Sequence, residues 1–261
     1  MGGRGSSSRI GGGGGLGLGG GGGGLPNMQG AGAPVPPIVP GQPVPAITIQ
    51  QLQSMSDQEF VTYINGLKST PIDQLTYYNH DWDTQRLIAN MPEMNKAPEV
   101  VSPQAFASLP GETIYRTVNA AGGESAIDIC GRTMTSDVTT IGAGVFGDGF
   151  YFANNKSVSQ SGYGLYKGNL KLTATMQAKL NSNAKVITSG QLNNMLANES
   201  PAVQSAVRQM RSGGQWGGGG SGKMAYALRK GYNVIKRESD SVYDVIDRNA
   251  ATWSGEIIPM K

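Results

Sequence analysis

Glycine in this chain is concentrated in two places. Of 40 glycines in 261 residues, 18 lie in residues 1–41 and 7 in residues 211–222. A stretch so poor in apolar side chains cannot bury enough surface to offset the entropy lost on ordering. Residues 1–33 are therefore expected to form a disordered Gly/Ser tail. Residues 34–46, PVPPIVPGQPVPA, add prolines, whose fixed φ favours an extended, stiffer spacer. Together, 1–46 read as a disordered Gly-rich tail and Pro-rich linker. Glycine density is ordinary elsewhere, apart from a flexible loop expected at 211–222. The length suits one domain with appendages or two small ones.

The rarest residues exclude whole classes of chemistry. The chain has one histidine, His80, and one cysteine, Cys130. A Ser-His-Asp triad, a Cys-His pair and a His-rich metal site would all have to use His80. No intramolecular disulfide can form, and no metal is expected. The formal net charge of +3 is too small to indicate nucleic acid. No apolar run is long enough to span a bilayer, and the N-terminus has no hydrophobic signal core. The reading is a protein that is not secreted through a signal peptide and not in a membrane.

Ordered structure is expected from Ile47. Ser56-Asp-Gln-Glu59 is a capping-box signature, and Phe60, Val61, Ile64 and Leu67 continue it as a helical stripe. A second helix is expected from Asp83 to Pro92, after an aromatic cluster at 77–82. Residues 47–110 thus read as a small helical segment packing on the main domain. Beyond it, strands are expected at Thr113–Val118, Phe150–Ala153, Asn169–Met176, Lys185–Thr188, Tyr232–Lys236, Val242–Asp247 and Thr252–Met260. Helices are expected at Ser125–Met134, on either side of Pro201 within Gln191–Met210, and at Met224–Lys230. Short strands and helices without strict βαβ alternation indicate an α+β fold.

Two glycine patterns imitate phosphate loops. Gly142-Ala-Gly-Val-Phe-Gly147 spells G-x-G-x-x-G, but a strand rather than a helix is expected after it, which argues against dinucleotide binding. Gly217 to Lys223 spells G-x-x-x-x-G-K, but Met224 stands where a P-loop needs Ser or Thr.

Three segments occur in an informative order: Ile114-Tyr-Arg-Thr117; Phe146-Gly-Asp-Gly-Phe-Tyr-Phe-Ala153 with a Ser-rich run to Tyr163; and Val242-Tyr-Asp-Val-Ile-Asp-Arg248. This order resembles the ADP-ribosyltransferase fold, including domains encoded among tailed-bacteriophage structural genes. The resemblance covers residues 111–261. It implies an ADP-ribosyltransferase-like split β-sandwich with flanking helices, NAD as co-substrate, and transfer of ADP-ribose to a host macromolecule. It also implies a location in the host cytoplasm or the virion, with virion proteins as possible partners of the N-terminal tail.

By position in that family, Arg116 contacts a phosphate or ribose of NAD and backbone near Thr117 reads the carboxamide. Tyr151 stacks on nicotinamide, and Phe150 and Tyr163 are further NAD-binding candidates. Gly147 and Gly149 let the chain approach the ligand. The family's catalytic glutamate has no exact counterpart, and the candidates are Asp244, then Asp240, then Glu238. The alternative is a catalytically inactive binding or virion-associated module. Read alone, Arg116 is a surface arginine pairing with Glu112 or Glu124.

Overall fold

The computed structural model describes residues 34–39, 42–68, 70, 82–119, 125–135, 142–144, 147–163, 173–210, 220–237 and 242–259. The described residues belong to one compact unit, without a boundary near residue 110.

The chain enters through α1 (Ile49–Ser54), α2 (Asp57–Leu67) and α3 (Trp82–Asn90). Ser56 begins α2 with the expected reciprocal cap. Its hydroxyl accepts from Glu59 N at 3.3 Å, and Glu59 Oε2 accepts from Ser56 N at 2.8 Å. After a 3-10 turn at Pro92–Asn95 come β1 (Glu99–Val101), α4 (Pro103–Ser108), β2 (Thr113–Asn119) and α5 (Ala126–Thr135). Next are β3 (Gly142–Gly144), β4 (Gly147–Ala153), α6 (Lys156–Tyr163), β5 (Thr173–Leu180) and β6 (Val186–Thr188). Pro201 separates α7 (Ser189–Ala197) from α8 (Pro201–Gln209), where its missing N–H costs no helical bond. The chain ends with α9 (Gly220–Arg229), β7 (Val234–Lys236), β8 (Val242–Val245), a 3-10 turn at Arg248–Ala250, β9 (Ala251–Ser254) and β10 (Ile258–Pro259).

The strands run in one continuous order, β1-β9-β5-β2-β4-β8-β7-β6, with β10 added to β5 and β3 to β4. The resemblance implies two half-sheets instead. Pairing is antiparallel except at β1–β9 and β6–β7. The α+β class is as expected from the sequence. The segment 47–110 does more than add helices, because its β1 forms a sheet edge through Glu99↔Thr252 and Val101↔Ser254. Its helices pack on the main domain: α2 lies against α8, and α1 and α3 against α9. Arg229 ties them together. It donates to Met55 O at 3.0 Å and Asp57 Oδ1 at 2.7 Å, with its guanidinium 4.7 Å from the Phe60 ring centroid.

Three local expectations differ. The strand foreseen at Asn169–Met176 is described from Thr173 and runs on to Leu180. The last strand is broken into β9 and β10 around Gly255. The described part of the Pro-rich linker lies on the domain. Val44 is buried, Val35 and Ile38 are partly so, and Gln51 Nε2 donates to Pro34 O at 3.1 Å. Val and Ile placed among the prolines give this segment an apolar side that a free spacer would not need.

Directly opposed residues on neighbouring strands share a face, and successive residues alternate. Arg116 opposes Met176, and Ala178 opposes Trp253, so these four lie on one face of the sheet. The Trp253 indole meets Phe150 and Phe152 edge-on, with centroids 6.0 and 5.2 Å apart. Such pairs contribute about 0.5–1.5 kcal/mol each beyond area burial. Helix α5 covers this face, where Thr133 O accepts from Arg248 Nη1 at 2.9 Å. Helix α6 covers the other face through Ser159.

Candidate functional site

The three central strands β2, β4 and β8 carry the residues singled out in the sequence. Tyr151 on β4 is directly opposed to Asp244 on β8. Tyr115 opposes Ala153, and two steps along each strand bring Thr117 to the face of Tyr151. Thr117, Tyr151 and Asp244 therefore share a face on three adjacent strands. All are buried, Asp244 with 1% of its surface exposed.

Hydroxyl groups surround Thr117. Its Oγ1 shares hydrogen bonds with Ser159 Oγ on α6 and Thr175 Oγ1 on β5, both at 3.0 Å. Gln160 Nε2 reaches Thr175 Oγ1 at 3.4 Å. Each hydroxyl offers one donor and two acceptor positions, so a row of them can exchange partners without stranding a polar atom. Sequence reading missed Ser159 and Thr175. A Ser on α6 gives no sign of which strand it meets, since that depends on how the helix lies across the sheet.

Arg116 is on the opposite face from Tyr151. It is neither a surface arginine nor placed beside the Tyr151 ring. Its Nη1 donates to the Tyr151 carbonyl oxygen at 3.4 Å, and its guanidinium lies 5.5 Å from the Phe150 ring centroid. Arg248, fully buried and not foreseen as important, stands 5.4 Å from the same centroid. A desolvated cation over an aromatic face contributes up to about 2 kcal/mol. Burial pushes the Cys130 thiol up to about 12, against a smaller opposite pull from the Arg116 charge.

The glycine patterns are resolved by their settings. Gly142 opposes Gly149 and Gly144 opposes Gly147, so G-x-G-x-x-G spans two antiparallel strands and opens no helix. The residues foreseen as a loop at 220–222 are the buried first turn of α9. A Cβ on Gly222 would collide with the Val207 carbonyl of α8, so this glycine serves close helix approach. Phe150 lies on the Trp253 face, away from Tyr151. Tyr163 is the last residue of α6, and its side chain lies outside the described residues. Asp240 and Glu238 also lie outside them.

Cavities among the described residues include one lined by α8, one by the α1–β7 region and one by the Pro-rich segment on α2. None of these is lined by Arg116, Tyr151 or Asp244. Among the described residues, no three His, Cys, Asp or Glu side chains are grouped to hold a metal, and no helix is long and apolar enough to cross a membrane. In comparisons with known proteins, no family model, no curated protein and no solved structure matches this chain.

Proposed function

We propose that the chain is an NAD-dependent ADP-ribosyltransferase with its site on the sheet face carrying Thr117, Tyr151 and Asp244. The observation that supports this reading is the cross-strand pair Tyr151–Asp244, which sets an aromatic ring and a carboxylate side by side on adjacent strands. The reaction breaks the bond between nicotinamide nitrogen and ribose C1′. Nicotinamide leaves neutral, with the bonding electron pair. An acceptor nucleophile forms the new bond to C1′ and loses its proton. The transition state is oxocarbenium-like, so a preorganised carboxylate near the ribose stabilises it by charge. Tyr151 supplies an aromatic face for nicotinamide. In this reading Asp244 is the first carboxylate, with Asp240 and Glu238 as alternates. The acceptor is a host macromolecule, and a bacteriophage setting with a tail that contacts virion proteins belongs to the same proposal.

Two observations favour a second reading, a catalytically inactive binding module: Asp244 is covered, and Arg116 faces away from Tyr151. Incubation of the full chain with adenylate-labelled NAD and a bacterial host lysate separates the two. Labelled macromolecule plus free nicotinamide, both lost in Tyr151→Ala and Asp244→Asn, supports the transferase. Saturable NAD binding without turnover supports the inactive module. Absence of binding overturns both.

A further inference from the structure

The cavity beside α1 contains a feature that the ADP-ribosyltransferase reading does not use. It measures about 260 Å³ and lies at one end of β6, β7 and β8, under α1. Asn233 lines it. It accepts from Lys185 N with its side chain at 2.7 Å, donates its own N–H to Lys185 O at 3.1 Å, and accepts from Ile246 N at 3.0 Å. These bonds place Lys185 on one side of Asn233 and Asp247 on the other. Two inter-strand spacings separate them, about 9–10 Å at the backbone. Tyr232 lines the same cavity, and Gln53 of α1 is held above it by donating to Leu228 O at 3.2 Å.

The two charged groups are free to engage a ligand. Asp247 uses one carboxylate oxygen, Oδ1, to accept from Asn249 N and Nδ2 at 3.0 and 3.2 Å. Its other oxygen takes no hydrogen bond among the described residues. The Lys185 ammonium makes no ion pair there. Glu93 adds negative potential at Asp247, and the Arg248 charge acts there in the opposite sense. A carboxylate residue and an ammonium residue lining one small cavity from opposite sides of Asn233 match a ligand carrying both charges. An ammonium end would meet Asp247 and a carboxylate end would meet Lys185, with charge-assisted bonds stronger than neutral ones. At about 260 Å³ the cavity lies just below the roughly 300–1,000 Å³ of drug-sized ligand pockets, which restricts it to a smaller molecule.

We propose that this cavity binds a small zwitterion of the free α-amino acid class. The site is separate from the Tyr151–Asp244 face, so it stands or falls independently of NAD chemistry. The test is calorimetric titration of the full chain with glycine, L-serine, L-glutamine and L-arginine, each beside its N-acetyl and carboxamide derivatives. At least one free amino acid binds saturably at concentrations up to about 10 mM. Blocking either charge weakens it about tenfold, as do Asp247→Asn and Lys185→Gln. Asn retains the Oδ1 that caps the 3-10 turn, and Lys185 is exposed, so both variants keep the wild-type circular dichroism. The proposal is overturned by no saturable binding of any free amino acid, by equal binding of a blocked derivative, or by wild-type affinity in both variants.

Discussion

Tyr151 and Asp244 are directly opposed on adjacent antiparallel strands, with their side chains on one face of the sheet. Arg116, expected beside them, instead holds the Tyr151 backbone carbonyl from the opposite face. This division sets different expectations for the three residues.

Arg116→Ala removes a bond to a buried carbonyl and the cation over Phe150. The variant is expected to lose about 2–3 kcal/mol of stability in urea unfolding. Its folded fraction should retain the NAD affinity of the wild type, whereas Tyr151→Ala should lose it. Normal stability in Arg116→Ala with lost NAD binding would return Arg116 to the ligand site.

Gly222→Ala places a Cβ against the Val207 carbonyl, which is backbone and cannot rotate away. Helices α8 and α9 must separate, at a cost of about 1–3 kcal/mol or more. Thermal unfolding reads this directly. Lys223→Ala, by contrast, should leave nucleotide binding unchanged, because the pattern around it serves helix packing.

Gly66 and Val44 form a testable pair. A Cβ at residue 66 would strike Val44 Cγ1, so Gly66→Ala destabilises the wild type. In a Val44→Ala background the obstruction is gone, and the better helix propensity of Ala, worth about 1 kcal/mol, should make the same change stabilising. Val44→Ala itself should cost about 1–2 kcal/mol for the two buried methyl groups. A double-mutant cycle in urea measures the sign change. Additive effects would mean that the Pro-rich segment does not rest on α2.

Burial raises the Asp247 carboxyl above its ordinary 3.8, opposed by the Asn249 bonds and the Arg248 charge and reinforced by Glu93. Its folded-state pKa thus exceeds the unfolded one, so the native state holds this proton more tightly. The contribution to stability is fully present below pH 3.8 and is lost as pH rises through the folded value. Asp247→Asn does not ionise. Its stability relative to the wild type should therefore rise between about pH 3 and pH 7. Parallel thermal melts across that range test it, and a difference independent of pH would contradict the assignment.

Much of the local structure was legible in residue order. Ser56 with Glu59, Pro201 at a helix start and Gly231 at φ +85° each act within a few residues, so their effects survive any change of neighbours. Period-2 alternation likewise puts strand neighbours such as Tyr151 and Phe152 on opposite faces. It could not show which residue of one strand joins which of another. That depends on register, and a shift of one residue moves every side chain to the other face.

The candidate site is therefore divided in how it could be read. Its residue types and their order along the chain come from sequence. The pairing of Tyr151 with Asp244, the removal of Arg116 to the Trp253 face and the meeting of Ser159 with Thr117 come from contacts distant in sequence. The same holds for glycine: composition marked 1–41 and 211–222 as unlike the rest. Only packing distinguished Gly222, where a helix backbone comes too close for any side chain, from a glycine that merely loosens a loop. Local patterns are set by the geometry of a few consecutive residues, whereas faces, close approaches and cavities arise only when separate elements share the same space.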